Sequence, residues 1–526
     1  MSIEGVHLIA GESVAGQGTF EATNPASGQQ LSPKFPDATR DQVDAAVEAA
    51  LQVHESRGAG DAEQRARFLD AASARIEQAG DAITRRGVEE TGLPAGRFEA
   101  ERGRTCNQLR MFASMLREGL FTESIIETAL PDRQPIPRPD LRRRMRALGP
   151  VAVFGASNFP LAFGIAGGDT ASALAAGCPV IAKGHPAHPG TCELIGKALQ
   201  EAARDAAMPA GIFSLLQGQS FDVGTQLVEH PSIAAVAFTG SRSGGIALWK
   251  LAAAREVPVP VFAEMGSANP VFILPEALAS RGEEIATSIA ASVRLGVGQF
   301  CTSPGIVVTV AGDQGASFKD ALSAALCDEP PGTMLHPGIR KGYQGALEQL
   351  AASHGVELVT RGPAGTGPCD AEAALLQTDA SSFIGDKSLQ GEVFGPSTML
   401  VECSSMEQMF QVARSLEGQL TATVQGTTEE LQQCTPLLDL LEDRVGRILF
   451  NGMPTGVEVG EAMHHGGPWP ATTDSRWTSV GAASIQRFVR PVCWQGFPDS
   501  LLPVDLRSTV QGRRRVDGVW QDPGNR

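Results

Sequence analysis

Leu148-Gly-Pro-Val-Ala-Val-Phe-Gly-Ala156 decides the architecture. An apolar run ending in glycine reads as a buried strand entering a tight turn. A helix is expected over 160–176, and Pro179-Val-Ile-Ala-Lys183 reads as the next strand. The alternation continues with a helix over 191–207, strands over 212–216, 234–239 and 259–263, and helices over 221–229 and 244–254. Strands and helices trading places across short loops make a doubly wound α/β domain. Such a domain binds ligands at the C-terminal ends of its strands. The glycine fingerprint GxGxxG is absent, so the usual phosphate loop gives no support for a dinucleotide site, and the alternation by itself carries only the fold.

Upstream, short strands are expected over 7–10 and 19–23, with a turn at Asn24-Pro-Ala-Ser-Gly28. Helices follow over 41–52, 61–78 and 81–91, the last stopped by Gly92, and a long helix over 97–120. Residues 131–146 are rich in proline and arginine. They read either as a solvated strand edge or as an extended arm. Downstream, 266–474 reads as a second α/β domain with strands over 270–274, 306–310, 399–402, 420–424 and 447–450. The stretch 511–526 is polar and is expected to be loosely ordered.

A chain of 526 residues exceeds one hydrophobic core. The expected division is 1–130 with 149–262 as dinucleotide-binding domain and 263–474 as catalytic domain. Residues 131–148 with 475–505 would form an oligomerisation arm, and 506–526 a tail. The net charge of −16 disfavours nucleic acid and anionic membranes as partners. The nine cysteines are scattered, with no CxxC, which argues for reduced thiols in the cytoplasm. No basic, apolar leader opens the chain, and no apolar run is long enough to span a bilayer.

Gly298-Gln-Phe-Cys301-Thr302 sits between an amphipathic helical run over 285–295 and the strand pattern at 306–310. That layout can present one thiolate at the floor of a cleft, although a lone cysteine is more often a small buried hydrophobe. Its company is Ala263-Glu-Met-Gly-Ser-Ala-Asn-Pro270, Gly391-Glu-Val-Phe-Gly-Pro396, Phe154-Gly-Ala-Ser-Asn-Phe-Pro160 and Phe238-Thr-Gly-Ser241. In this order the four strings resemble the aldehyde dehydrogenase superfamily, and the likeness runs from Thr23 to about Pro491.

The resemblance implies a fold and a mechanism. The fold is aldehyde dehydrogenase-like: a doubly wound cofactor domain, a second α/β catalytic domain and an oligomerisation arm. Cys301 would attack the aldehyde carbonyl. The Asn158 amide and the Cys301 backbone N–H would hold the oxyanion. Glu264 would activate water against the thioester. Asn158 has a competing role as a helix cap, and Glu264 as a surface carboxylate, though its small and apolar neighbours disfavour that.

Cofactor contacts are implied for Lys183, Gly240, Ser241, Met265, Glu392 and Phe394. No carboxylate lies between Lys183 and Pro189 to repel a 2′-phosphate, and His185, His188 and Arg242 are candidates to receive one. NADP is therefore expected ahead of NAD. No metal site is expected, His185-x-x-His188 included.

Asn158–Pro179, Lys183–Thr191, Asn451–Val459 and His465–Thr472 are similar to the branch of that superfamily that oxidises 2,5-dioxopentanoate (alpha-ketoglutarate semialdehyde) in sugar-acid catabolism. A dicarboxylate semialdehyde needs a cation at the far end of its tunnel. Arg104 is the candidate, against the ordinary role of a surface arginine. Phe159, His464, His465 and Trp469 are candidates to line the entrance. The competing functions are a long-chain fatty aldehyde dehydrogenase, an acyl-transferring relative that uses coenzyme A, and a non-catalytic member keeping only the fold. The resemblance also implies a homodimer or homotetramer.

Overall fold

The computed structural model describes residues 2–119, 123–509 and 513–521. Two seven-stranded sheets organise the chain. The first runs, in spatial order, Val261–Glu264, Ala235–Thr239, Val151–Phe154, Val180–Lys183, Phe213–Leu216, His7–Ile9 and Glu12–Val14. Its first five strands are parallel and the last two antiparallel. The winding reverses beside Val151–Phe154. The chain moves outward through Val180–Lys183 on one side and returns to Ala235–Thr239 on the other. Such a reversal opens a crevice at the strand ends. Asn158, Gly240 and Glu264 all lie at or just beyond the C-terminal ends of the strands on that side.

Side-chain alternation explains the packing. Val151 and Val153 enter one core cluster with Phe98, Leu109 and Phe112, while Ala152 and Phe154 enter another with Val43 and Val47. Successive residues of a strand face opposite ways, so one apolar run serves both helical layers. The second sheet repeats this. Its order is Val356–Arg361, Ala374–Asp379, Ser397–Cys403, Ile306–Val310, Val271–Ile273, Gln419–Gln425 and Val445–Phe450, parallel except for the first. Phe272 and Val308 pack on one face, Val271 and Val307 on the other.

The expected elements recur with shifts of a few residues at their ends, with three differences. The helix expected over 160–176 begins only at Gly168. Gly164, Gly167 and Gly168 each cost helix about 1 kcal/mol relative to alanine. The amides of Leu161 and Ala162 instead donate to the buried Glu101 carboxylate at 2.8 and 2.9 Å. Asn158 therefore caps no helix.

The long helix is Ala95–Glu118, closed by Gly119 in the left-handed region; Leu120 lies outside the described residues. The part of 511–526 that the structure describes is not loose. Arg514–Val516 and Val519–Gln521 pair as a hairpin, while the remaining positions of that stretch, 511–512 and 522–526, lie outside the described residues.

That hairpin completes a five-stranded sheet in the order Val489–Gln495, Leu141–Ala147, Ser124–Glu127, Arg514–Val516, Val519–Gln521. The arginine-rich strand Leu141–Ala147 is thus interior to a sheet, not a solvated edge. Arg142 reaches Asp140 and Asp499 at 2.8 Å, and Arg144 reaches Asp505 at 2.7 Å. Among the described residues no helix is long and apolar enough to cross a membrane.

Candidate active site

Cys301 follows a turn, Leu295–Gly298, in which Gly296, Val297 and Gly298 all have positive φ. A side chain on Gly298 would drive its Cβ into the Gly395 carbonyl. The loop carrying the thiol and the Glu392–Pro396 loop therefore meet backbone to backbone, a contact only glycine permits. Asn269 fixes the other side. Its amide donates to the carbonyls of Cys301 and Ser303, each at 2.9 Å.

The Asn158 amide donates to the Gln299 carbonyl at 2.8 Å, which places it beside the same loop. Glu264 ends strand Val261–Glu264 and is 3 % exposed. One carboxylate oxygen accepts a short hydrogen bond from the Ser479 hydroxyl. The other lies 2.9 Å from Nε2 of His465, and that same nitrogen lies 3.5 Å from Cys301 Sγ. His465 is thus a hub between thiol and carboxylate, not a residue at the entrance. Behind Glu264 lies a cavity of about 20 Å³, lined by His465, Asp474, Ser479 and Arg487 among others. That is room for about one water.

The electrostatics follow from burial. Burial pushes the Cys301 thiol well above its ordinary value, and the neighbouring Glu264 carboxylate adds to the shift. Burial also pushes the Glu264 carboxyl up. The close His465 imidazole outweighs that, together with the Ser479 hydroxyl and the nearby Cys301 thiol, and holds Glu264 below the ordinary range. The resting pair is a thiol beside a carboxylate.

Helix Ala95–Glu118 presents Arg97, Glu101 and Arg104 at spacings of four and three, one face of a helix. The Arg97 guanidinium lies 4.3 Å from the Phe159 ring centroid and 4.8 Å from that of Phe300. Arg104 lies 5.5 Å from the Phe163 centroid, and its buried Nε has no hydrogen-bond partner. Burial lowers the Arg104 pKa, against the carboxylates of Glu101, Glu264 and Glu458 nearby. Phe159, Phe163 and Phe300 pack with Val480, flanked by Val457, Val459 and Met463. The result is an apolar collar around two cations, of which Arg104 keeps a buried donor without a partner.

His464 is half-buried. Trp469 is exposed and lies 5.8 Å from the Trp249 ring. Arg447 donates through Nη1 and Nη2 to the carbonyls of Gly456 and Pro454, while its buried Nε, like that of Arg104, has no hydrogen-bond partner.

On the other side of Cys301, Lys183 Nζ donates to the Gly218 carbonyl at 2.6 Å, and burial lowers its pKa to about 8. Ser241 caps helix Arg242–Ala253 through the Gly244 amide, leaving an exposed helix N-terminus after Gly240. Met265 is buried beneath Gly245 of that helix. Glu392 lies against Gly266, where any side chain would displace its carboxylate, and burial raises its pKa from 4.5 to about 7. Phe394 is half-buried two residues on. A lysine, a free helix N-terminus and a carboxylate along one crevice fit a dinucleotide's ribose, pyrophosphate and second ribose.

All three groups expected to receive a 2′-phosphate are otherwise engaged. His185 and His188 stack at 5.1 Å and burial lowers both, His188 to about 4. Arg242 is paired with Glu417 at 2.8 Å.

The model of the aldehyde dehydrogenase family matches residues 13–469. The chain belongs to that family. It is an aldehyde dehydrogenase that oxidises an aldehyde to the carboxylic acid, and the family's cofactor is NAD(P)+. It is 48 % identical over 511 residues to alpha-ketoglutaric semialdehyde dehydrogenase 2 of Azospirillum brasilense, covering 97 % of each chain. It is 44 % identical over 519 residues to the alpha-ketoglutaric semialdehyde dehydrogenase of Acinetobacter baylyi, covering 98 % of each. Among solved structures, gamma-glutamyl-gamma-aminobutyraldehyde dehydrogenase from Burkholderia cenocepacia superposes with a TM-score of 0.80 at 21 % identity. That match covers 94 % of this aldehyde dehydrogenase and 97 % of the other chain.

Proposed function

We propose that this aldehyde dehydrogenase oxidises 2,5-dioxopentanoate to 2-oxoglutarate, with Cys301, Glu264 and Asn158 as its catalytic residues. One observation carries the choice of substrate: the half-buried Arg104 guanidinium, whose buried Nε has no partner, set in the collar near Cys301. The likeness to two alpha-ketoglutaric semialdehyde dehydrogenases across nearly the whole chain supports it. A carboxylate held by Arg104 turns the other end of a short dioxo acid toward the thiol. Phe159 lines the path, and His464 stands beside it.

The chemistry follows from the geometry. As Cys301 attacks the carbonyl, its proton passes to the neighbouring Glu264 carboxylate, which releases it to solvent and is a base again before hydrolysis. The Asn158 amide and the Cys301 N–H stabilise the new oxyanion. Bound NAD(P)+ supplies the hydride acceptor. Cys301 then carries a thioester, and Glu264 deprotonates the water that cleaves it. Ser479 keeps that carboxylate turned toward the small cavity.

Lys183, Gly240, Ser241, Met265, Glu392 and Phe394 hold the cofactor. NADP is preferred, because no acidic side chain stands between Lys183 and Pro189. With the two histidines neutral and Arg242 paired, Lys183 carries that preference.

The division expected from sequence serves as the domain assignment, with Ser124–Glu127 and the 514–521 hairpin added to the arm. The arm supports a homodimer or homotetramer: Phe497, Leu501 and Val504 are exposed apolar residues beside it. Nine unpaired cysteines support a reducing, cytoplasmic setting.

Steady-state rates with 2,5-dioxopentanoate, hexanal and dodecanal, each with NADP and NAD, test the reading. The dioxo acid should lead, and Arg104→Met should cost it about 100-fold in kcat/KM while leaving hexanal within a few fold. The apolar collar favours one competing reading, and a lead for dodecanal would move the assignment to long-chain aldehydes.

Cofactor affinity should depend on pH. Below about pH 7 Glu392 is a neutral acid; above it, a carboxylate that accepts from ribose hydroxyls. The cofactor KM should therefore fall as pH rises from 6 to 8, and Glu392→Gln should flatten that profile.

A further inference from the structure

Among the described residues, Glu264, Cys301 and His465 bring three ligand atoms of three kinds within 4.8 Å of one another. The kinds matter. A thiolate, an imidazole nitrogen and a carboxylate oxygen are the donors that zinc takes, and three protein ligands with one open position make a common four-coordinate zinc site. The spacing matters too. With Zn–S near 2.3 Å and Zn–N near 2.0 Å, a tetrahedral ion holds sulfur and nitrogen about 3.5 Å apart. Cys301 Sγ and His465 Nε2 stand 3.5 Å apart. The nitrogen and the Glu264 oxygen, at 2.9 Å, need to open by only about half an ångström.

Independent observations point to a ligand there. Glu264 Oε1 is buried with no well-aligned hydrogen bond, although the imidazole is close by. Its partner oxygen is already fixed by Ser479, so the free oxygen is held in place toward the other two donors. By contrast, His188, His185 and His336 form a row of rings at 5.1 and 6.2 Å without converging nitrogens.

We infer that Cys301 Sγ, His465 Nε2 and a Glu264 carboxylate oxygen form a reversible inhibitory site for Zn2+ or a comparably soft divalent cation. The cation displaces the thiol proton, giving a thiolate–zinc bond and one proton released to solvent. With the carboxylate and the neutral imidazole, the cluster is left uncharged. Hard cations such as Mg2+, which take oxygen ligands in octahedral geometry, do not fit. Binding rests on the geometry alone. The accompanying loss of activity rests on the catalytic reading above, since the cation occupies the nucleophile and the base together.

The test is a titration of the full chain, stripped with EDTA and free of cofactor, with ZnCl2 against a chromophoric zinc chelator. One equivalent of zinc should bind. Cys301→Ala and His465→Phe should each weaken that equivalent by more than about 100-fold, because even the outer partners of metal ligands are worth about 10–100-fold. Affinity should rise roughly tenfold per pH unit between 6 and 8, reflecting the single proton lost. In the unaltered chain, zinc should slow iodoacetamide modification of Cys301, read by mass spectrometry, and 1000-fold more Mg2+ should not. This arm needs no variant to fold. Retention of the zinc equivalent in both variants, or unslowed alkylation of Cys301 in the presence of zinc, overturns the site. Zinc bound through these residues with aldehyde oxidation undiminished would leave the site standing and overturn the catalytic assignment instead.

Discussion

Cys301→Ala should lower kcat for aldehyde oxidation by at least about 10⁴-fold while leaving the cofactor bound. No second thiol can substitute. Among the described residues the other cysteines that are not buried are Cys327, Cys434 and Cys493, and none of these shares a contact with Glu264 or His465. The substitution removes one sulfur from a half-buried loop whose shape is set by Asn269 and by the Gly298–Gly395 contact, so the fold should survive it. Thermal unfolding and cofactor binding should stay near those of the unaltered chain. Activity retained within tenfold would sink the covalent mechanism.

The second large effect separates the two half-reactions. Glu264→Gln should permit acylation of Cys301 but not its hydrolysis. Rapid mixing should show a burst approaching one reduced cofactor per site, followed by turnover slowed about 10²–10⁴-fold. The same change removes a negative charge that, after burial, is the leading cause of the raised Cys301 value. Loss of that charge favours the thiolate, so alkylation of Cys301 at neutral pH and without cofactor should become faster, and its midpoint should move to lower pH. A burst absent alongside normal turnover would remove Glu264 from the role of base.

The fold was legible because parallel strands buried on both faces leave near-continuous apolar runs, as at Val151–Phe154 and Ile306–Val310. Val356–Arg361 and Ala374–Asp379 went unrecognised. They lie at and next to the sheet's edge, where the pressure for such runs is weaker. Cys301, Glu264 and Asn158 were candidates because each sits in a distinctive string, and the structure gathers them around the Gln299–Cys301 loop. His465 lay in a recognisable string as well, yet its placement was misjudged. Its contact with Cys301 spans 164 residues, and no local pattern encodes a meeting across two sheets. The roles of Ser479 and Glu101 were hidden for the same reason. The helix expected after Asn158 failed because glycines and a buried carboxylate from a distant helix overrode local propensity.

The five-stranded sheet has a consequence for the order in which the protein is made. Ser124–Glu127 finds one neighbour soon, in Leu141–Ala147, but the other only in Arg514–Val516, which emerges about 390 residues later. At about 5–20 residues per second that wait is on the order of 20–80 seconds. Throughout it the strand offers unpaired amides and carbonyls to any neighbouring nascent chain on the same message. A chain cut short before residue 514 would keep that exposed edge for good, and it should be recovered in aggregates more than the full-length chain even though every catalytic side chain is present.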